Sequence, residues 1–312
     1  MKKIAIGLGT SKRPKMLSLT LDSLIRLESP EKYKVEILLV DNAPEDPVKD
    51  IYEQFQKKVP YPIHYFLEAE KGIVPMRNRV VEEAIASGFD YLAFIDDDEI
   101  VSTEWLLEMI TTLERYHADV VSGRTLRRLP DHTPDYIKTG GFFQKGSRPT
   151  GIRRPTSSTC NVLFDLKKLC MDWGMRFDIR LNFVGSSDIL FFNQAHQRGA
   201  RIIWSNEAVV EEIIPDSRAT REWLLQRSFR KGNTMAVRYK IQNPTLLAYL
   251  KGIYFATGEL IIYCGYQFTL LRAASPEIAS VKMREHLNIA KGIINGLFGR
   301  QIFEEYRQQH GY

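Results

Sequence analysis

Residues 91–99 read YLAFIDDDE, a short apolar run that ends in Asp96, Asp97, Asp98 and Glu99. Three adjacent carboxylates repel one another unless something positive sits among them. Hard divalent cations such as Mg2+ and Mn2+ take oxygen ligands and bridge carboxylates to a substrate's phosphates. The stretch therefore reads as a metal–diphosphate site. A solvated loop whose last acid helps to start the next helix, with Ser102 or Thr103 as its cap, fits the same residues. Other groups able to do chemistry stand at Thr10, Arg13, Asp41, Asn42, Arg77, Asn78 and Asp188. Each also has a plain structural reading. Arg13 fits a solvated helix start, Asp41–Asn42 a turn pair, Arg77–Asn78 an exposed helix face, and Asp188 an N-cap. His64 and His196 have no second ligand at metal spacing and read as structural or exposed. Glu212 either approaches the acids from a later strand or anchors Arg218 or Arg221.

The elements that must hold these groups follow from the apolar pattern. Residues 3–8, 35–40, 63–67, 91–95 and 119–123 are short continuous apolar runs, the signature of strands buried on both faces. Helical spacing predicts helices over about 14–26, 47–57, 76–87 and 103–116 between them. Strands alternating with helices imply a mostly parallel sheet with right-handed crossovers. Ligands of such sheets bind beyond the carboxyl ends of the strands, which is where Thr10 and Arg13, Asp41 and Asn42, and Asp96 to Asp98 stand. There is no GxGxxG and no GxxxxGK[ST], so neither a dinucleotide fold nor a P-loop is indicated. Residues 124–158 read as a long loop. Strands are expected at 158–164, 200–204 and 208–214, with a helix over about 189–198 that Gly199 ends.

With 312 residues, 44% of them hydrophobic and 26% charged, the chain is globular and long enough for one or two domains. Three cysteines with no close spacing argue against a disulfide framework or zinc site and fit a reducing cytoplasm. The opening MKKIAIGLGT reads as a first strand rather than a signal sequence. The net charge of +5 is uneven: residues 213–312 carry 14 Lys and Arg against 7 Asp and Glu, which leaves residues 1–212 mildly acidic.

Six segments in order resemble the inverting family 2 glycosyltransferases with a GT-A fold, in particular the bacterial exopolysaccharide and O-antigen branch. They are Thr10, Arg13 and Pro14; Asp41–Asn42; Gly72, Ile73, Arg77 and Asn78; FIDDDE; Gly185 to Phe192; and Glu212, Pro215 and Arg218 followed by Trp223, Leu224 and Arg227. The resemblance covers about residues 3–235. It implies an α/β GT-A catalytic domain over 1–235, with a nucleotide-sugar half at 1–123 and an acceptor half at 124–235. It implies transfer of a sugar, with inversion, from a nucleotide-diphosphate sugar (UDP-linked on family frequency) to a hydroxyl of a glycan or polyprenyl-diphosphate-linked acceptor in surface polysaccharide assembly. Mn2+ or Mg2+ would be held by Asp98 with Asp96. Thr10, Arg13, Asp41, Arg77, Asn78, Asp96 and Asp97 would hold the nucleotide, and Asp188 would be the base. One departure stands out: the family's Glu-Asp pair is Ser187–Asp188 here, and its next Asp is Leu190. A catalytically silent nucleotide-sugar-binding scaffold of the same fold is the alternative. A nucleotidyltransferase would show a glycine-rich loop after the first strand, for which Gly7 to Thr10 is too slight.

Residues 236–312 are expected to form a helical, basic, membrane-associating extension. Residues 218–240 interleave Trp223 and Phe229 with several arginines, which fits a membrane-surface helix or a face packed on the catalytic domain. Residues 246–271 are long and apolar but interrupted by Lys251, Glu259 and Gln267, which favours an interfacial or buried helix over a span. A mixed helix is expected over about 280–306. With no nucleic-acid module in the chain, the anionic partner of this tail is expected to be lipid, at the inner face of the plasma membrane.

Overall fold

The computed structural model describes residues 1–45, 47–144, 146–269 and 274–299. The contacts divide these into two compact units, residues 1–127 with 146–213 and residues 128–144 with 214–299.

The first unit is built on an eight-stranded sheet of order β3-β2-β1-β4-β7-β6-β8-β5. Its parallel part is β1 (Lys2–Thr10), β2 (Tyr33–Asp41), β3 (Ile63–Leu67) and β4 (Tyr91–Asp96). The helices α1 (Pro14–Ile25), α2 (Lys49–Gln56) and α3 (Ile73–Ala86) connect them. Alternate residues of each strand feed two cores: Ile4, Ile6, Leu8, Ala93 and Ile95 lie in one, and Ala5, Leu92 and Phe94 in the other. This double burial is why the strands read as unbroken apolar runs. Pro14 at the first turn of α1 suits a position whose N–H is unpaired anyway. β5 (Glu99–Val101) and α4 (Trp105–Arg115) follow, then β6 (Val120–Arg128), α5 (Asp135–Thr139), β7 (Asn161–Asp165), α6 (Ser187–Gln197) and β8 (Ile202–Ile213). Beyond β4 the pairing turns antiparallel, with β4–β7, β6–β7 and β5–β8 all of that kind.

Several expectations change. The loop after the aspartates is a short strand, and α4 is capped neither by Ser102 nor by Thr103; its N-cap is Glu104, with no side-chain bond. The two strands expected at 200–204 and 208–214 are the single strand β8. Ser205 causes no break because it is buried against Thr112, whose hydroxyl is 3.0 Å away. Residues 124–158 are not one loop, since β6 runs on to Arg128 and α5 forms one turn. Gly199 ends α6 with φ 94°, as its position predicts.

The second unit contains α5 and the helices α7 (Arg221–Gln242), α8 (Thr245–Thr269) and α9 (Pro276–Phe298). Thr220 caps α7 by accepting from the Trp223 N–H at 3.2 Å, and Ser275 caps α9 at Ile278. Glycines set the crossing of α7 and α9. A Cβ on Gly232 would meet the Ile289 carbonyl oxygen at 2.0 Å, and one on Gly292 would meet that of Phe229 at 2.0 Å. Trp223 stacks on Phe143 with ring centroids 5.7 Å apart, and Arg227 packs over both rings while donating to the Phe142 carbonyl at 2.8 Å. Leu224 of the sixth segment is thus buried in the core of this unit, with Trp223 packed against that core and Arg227 over the Trp223 ring. α8 is not buried: over Thr245–Phe268 it is long and apolar enough to cross a membrane by length and composition, and of these residues Ala248, Gly252 and Ala256 are buried. The expected continuation of α9 to residue 306, with Ile302, and of α8 to Leu271 lies outside the described residues.

Candidate active site

The carboxyl ends of β1, β2 and β4 lie side by side, with Thr10 paired to Asp41 and Gly9 to both Val40 and Asp96 in register. The missing side chains on β1 let α3 close in. A Cβ on Gly9 would meet the Met76 sulfur at 2.4 Å, and one on Gly7 would meet a Val80 methyl at 2.4 Å. That approach brings Arg77 toward Asp96. After β1, Lys12 takes a left-handed conformation (φ 56°), and Arg13 then reaches the acids. Its guanidinium donates to Asp97 at 3.1 Å and to Asp98 at 3.3 Å, while the Thr10 hydroxyl donates to Asp97 at 2.8 Å.

Burial raises the Asp96 carboxyl above its ordinary range, against the opposing charge of Arg77 and with Asp98 and Asp97 adding to the rise. Asp97 is raised by burial too, with Arg13 opposing. Glu99 is a member of this cluster that its sequence position hides. It is fully buried, and its Oε2 accepts the Asp96 N–H at 2.9 Å, which closes the turn that carries the aspartates. Its Oε1 has no hydrogen-bond partner among the described residues. Burial, then the charge of Asp96, pushes the Glu99 carboxyl well above its ordinary range. In the β5–β8 ladder Glu99 lies opposite Glu212, a pairing of like groups that two charges would destabilise. Glu212 takes the Arg127 guanidinium at 2.8 Å. The only signal for Glu99 in the sequence is the fourth acid in the row.

A second wall comes from residues 177–188. Asn78 donates to the Phe177 carbonyl at 3.0 Å and accepts the Phe177 N–H at 2.9 Å. Asn182 accepts from the Val74 N–H at 3.1 Å and donates to the Lys71 carbonyl at 2.9 Å. Arg77 is buried, lies 5.8 Å over the Phe177 ring and donates to the Ser187 hydroxyl at 3.1 Å. The same guanidinium thus bonds the start of α6 and opposes the charge of Asp96. Gly185 (φ 88°) and Ser186 (φ 64°) are both left-handed. For a serine this costs about 1 kcal/mol or more. The chain turns there to present Asp188, half-buried in the first turn of α6. Among the described residues, the Asp188 hydrogen bond is to the Ile189 N–H at 2.8 Å. Leu190, where the family has an acid, is buried.

The predicted site residues divide by what they touch. Thr10, Arg13, Arg77 and Asp96 to Asp98 form one charged cluster. Asp41 is buried and accepts from the N–H groups of Ala43 (3.0 Å) and Val48 (2.9 Å) and from the Tyr65 hydroxyl (2.8 Å), so its carboxylate organises the loop after β2. Asn42 likewise binds the Glu68 and Glu70 carbonyls and the Gly72 N–H. His64 pairs with Glu36 at 2.8 Å, and His196 is exposed.

The cluster fits a hard divalent cation. Its donors are carboxylate oxygens, and burial and mutual repulsion hold two of its aspartates above their usual range, a penalty that a cation removes. Among the described residues no three His, Cys, Asp or Glu side chains are gathered as a ready ligand set. The aspartates would therefore supply part of a coordination shell and leave positions for phosphate and water.

Residues 9–170 match the profile of glycosyl transferase family 2. The chain is 30% identical to the succinoglycan biosynthesis protein ExoM of Rhizobium meliloti, over 97% of this chain and 95% of that protein. Its fold is similar to that of the mannosyltransferase PcManGT of Pyrobaculum calidifontis, solved with GDP-Man and Mn2+. The TM-score is 0.63 at 16% identity, over 96% of this chain and 88% of that one. It is also similar to TarS of S. aureus with UDP-GlcNAc, with a TM-score of 0.53 at 15% identity, over 95% and 91% of the two chains. With its acids beyond the end of β4 and the profile matched from the end of β1 to beyond β7, the chain belongs to glycosyl transferase family 2 and has the GT-A fold.

Proposed function

We propose that the protein moves a sugar, with inversion, from a nucleotide-diphosphate sugar to a hydroxyl of a growing surface polysaccharide. The observation that carries this reading is the buried Arg77 guanidinium, which bonds Ser187 in the first turn of α6, next to Asp188, and opposes the charge of Asp96 at the end of β4. A donor needs its diphosphate neutralised, and its acceptor needs a base. The two requirements fall on the two sides of that arginine. ExoM, named for succinoglycan biosynthesis, supports a polysaccharide as product, and the UDP-GlcNAc complex of TarS supports a UDP-linked donor. The acceptor is proposed to be a glycan on a polyprenyl diphosphate, met at the cytoplasmic face of an anionic membrane. The basic tail and three free cysteines fit that place.

Asp98, with Asp96, would hold Mn2+ or Mg2+. When bound, the cation supplies Lewis-acid neutralisation of the leaving diphosphate. Arg13 and Arg77 add fixed positive charge against the same group, and Thr10 and Asp97 hold Arg13 in place. Asp41 and Asn78 support the donor indirectly, through the loop after β2 and the 177–182 segment. Asp188 accepts the proton of the acceptor hydroxyl as its oxygen bonds to the anomeric carbon and the sugar–phosphate bond opens on the opposite face. Ser187 in place of the family's Glu removes a like charge beside that base.

A screen of dialysed protein against nucleotide-diphosphate sugars, with and without Mn2+, tests the proposal. Turnover of a UDP-linked sugar that needs the cation, and that falls at least 100-fold in Asp98→Asn with an unchanged melting temperature, is the expected outcome. Metal-independent turnover that Asp98→Asn leaves intact would contradict it.

A further inference from the structure

The polarity of α8 is inside out. Its outward side carries Leu246 (74% exposed), Leu250 (56%), Tyr254 (74%), Ile261 (67%) and Phe268 (85%). In a 3.6-residue helix these fall within one arc of about 80°, and that arc contains no charged residue. The opposite side faces α9 and is small or polar. Ala248 and Ala256 are buried there, and a Cβ on Gly252 would press into Leu297. The one acid of the helix, Glu259, is turned inward and paired with His286 of α9 at 2.5 Å, and Tyr266 stacks on the same imidazole at 5.6 Å. Elements in water do the reverse, keeping apolar side chains inside. A polar pair turned inward under a charge-free outer face is the arrangement found where the surroundings are hydrocarbon.

We infer that the outer face of α8 is immersed in the acyl region of a lipid bilayer, with the helix lying in the membrane plane. This rests on the membrane reading of the tail given above and specifies which face makes contact and how. The neighbours of α8 decide between lying in the plane and spanning. α9 runs antiparallel along α8: the Tyr249 hydroxyl donates to the Leu297 carbonyl near one end, and Glu259 and Tyr266 meet His286 toward the other. α9 exposes Arg284 and Lys291. A spanning α8 would carry those cations into the hydrocarbon, where polar and charged groups are strongly disfavoured. Lying in the plane keeps them in water. Lys251, exposed and bonded to Asn243 at 2.7 Å, flanks the arc where a headgroup phosphate would meet it. A bilayer suits this face better than a second copy of the chain, because a partner helix would have to match a charge-free strip about 36 Å long, whereas hydrocarbon needs no matching.

Cys264 is exposed on the same arc and reports directly. The full chain, with Cys160→Ser to leave one accessible thiol, is labelled at Cys264 with an environment-sensitive fluorophore. It is then mixed with vesicles of phosphatidylcholine alone or with 30% phosphatidylglycerol, at low and high salt. The expected result is a blue shift and quenching by acyl-chain nitroxides in both vesicle types, surviving high salt, with vesicle binding reduced at least tenfold by Ile261→Glu. Ile261 is exposed, so the variant folds, and its melting temperature in lipid-free solution should be unchanged. A fluorophore that stays in water while the protein binds only anionic vesicles at low salt would overturn the inference and leave a purely electrostatic tail. So would a lipid-free dimer that Ile261→Glu dissociates, with no vesicle binding. Both readouts are independent of sugar transfer, so a failure of the enzymatic reading shows separately, in the donor screen.

Discussion

Asn78 looks like a ligand-binding residue by its place beside Arg77, yet both ends of its amide are engaged by the Phe177 backbone. Replacing it with alanine leaves the Phe177 N–H and carbonyl without that partner, and Phe177 is buried. An orphaned buried polar group costs about 1–3 kcal/mol, so two of them cost about 2–4 kcal/mol once partial hydration of the half-exposed Asn78 site is allowed for. For a unit of this size 1 kcal/mol is worth about 2–4 °C, which sets the expected fall in melting temperature at about 4–16 °C. Thermal unfolding followed by circular dichroism measures it. Calorimetric titration with the donor nucleotide, well below the transition, should find the affinity within about threefold of wild type. The catalytic rate should fall more than the affinity does, because the 177–188 segment that presents Asp188 loses its tie to α3. A melting temperature within 1 °C of wild type together with a tenfold loss of nucleotide affinity would instead make Asn78 a donor contact.

Asp96 is pushed up to about 7 and Asp97 to about 6. Because these folded values exceed the unfolded ones, the native state binds more protons than the unfolded chain between about pH 4 and 7. Without metal, stability should therefore decline as pH rises through that window, and added Mn2+ should reverse the decline above pH 6 with release of protons. A metal-free protein whose denaturant midpoint climbs steadily over that window would count against the buried-acid account. In the second unit, Gly232→Val places a side chain where the Ile289 carbonyl oxygen is already 2.0 Å from a Cβ. It should force α7 from α9 at a cost of about 2 kcal/mol or more, seen as a lower melting temperature with donor binding by the first unit unchanged.

The sequence shows most clearly the features in which a run of residues shares one environment. β4 is legible because Tyr91 to Ile95 are buried on both faces, and the row of acids then marks the strand's end. The asparagines of the site are not legible in this way. Asn42, Asn78 and Asn182 each tie two backbone segments together, and such a role leaves no periodic trace. Glu99 and Glu212 become neighbours only through the β5–β8 ladder, more than 100 residues apart in the chain. β8 reads as two strands because Ser205, Asn206 and Glu207 interrupt the apolar pattern, although the hydroxyl of Thr112 accommodates Ser205 within the core. The character of α8 is likewise hidden, since its composition fits a buried, interfacial or spanning helix. Only the direction in which Glu259 and Ile261 point separates these.

The central claim is that Asp188 takes the acceptor proton while the β4 aspartates and arginines hold the donor. The most direct test is single-turnover transfer by Asp188→Asn with donor and Mn2+ saturating, beside a titration of donor affinity. Donor affinity should stay within about threefold of wild type and the transfer rate should fall by about 100-fold or more, within the range general-base catalysis supplies. Transfer by this variant at the wild-type rate would contradict it.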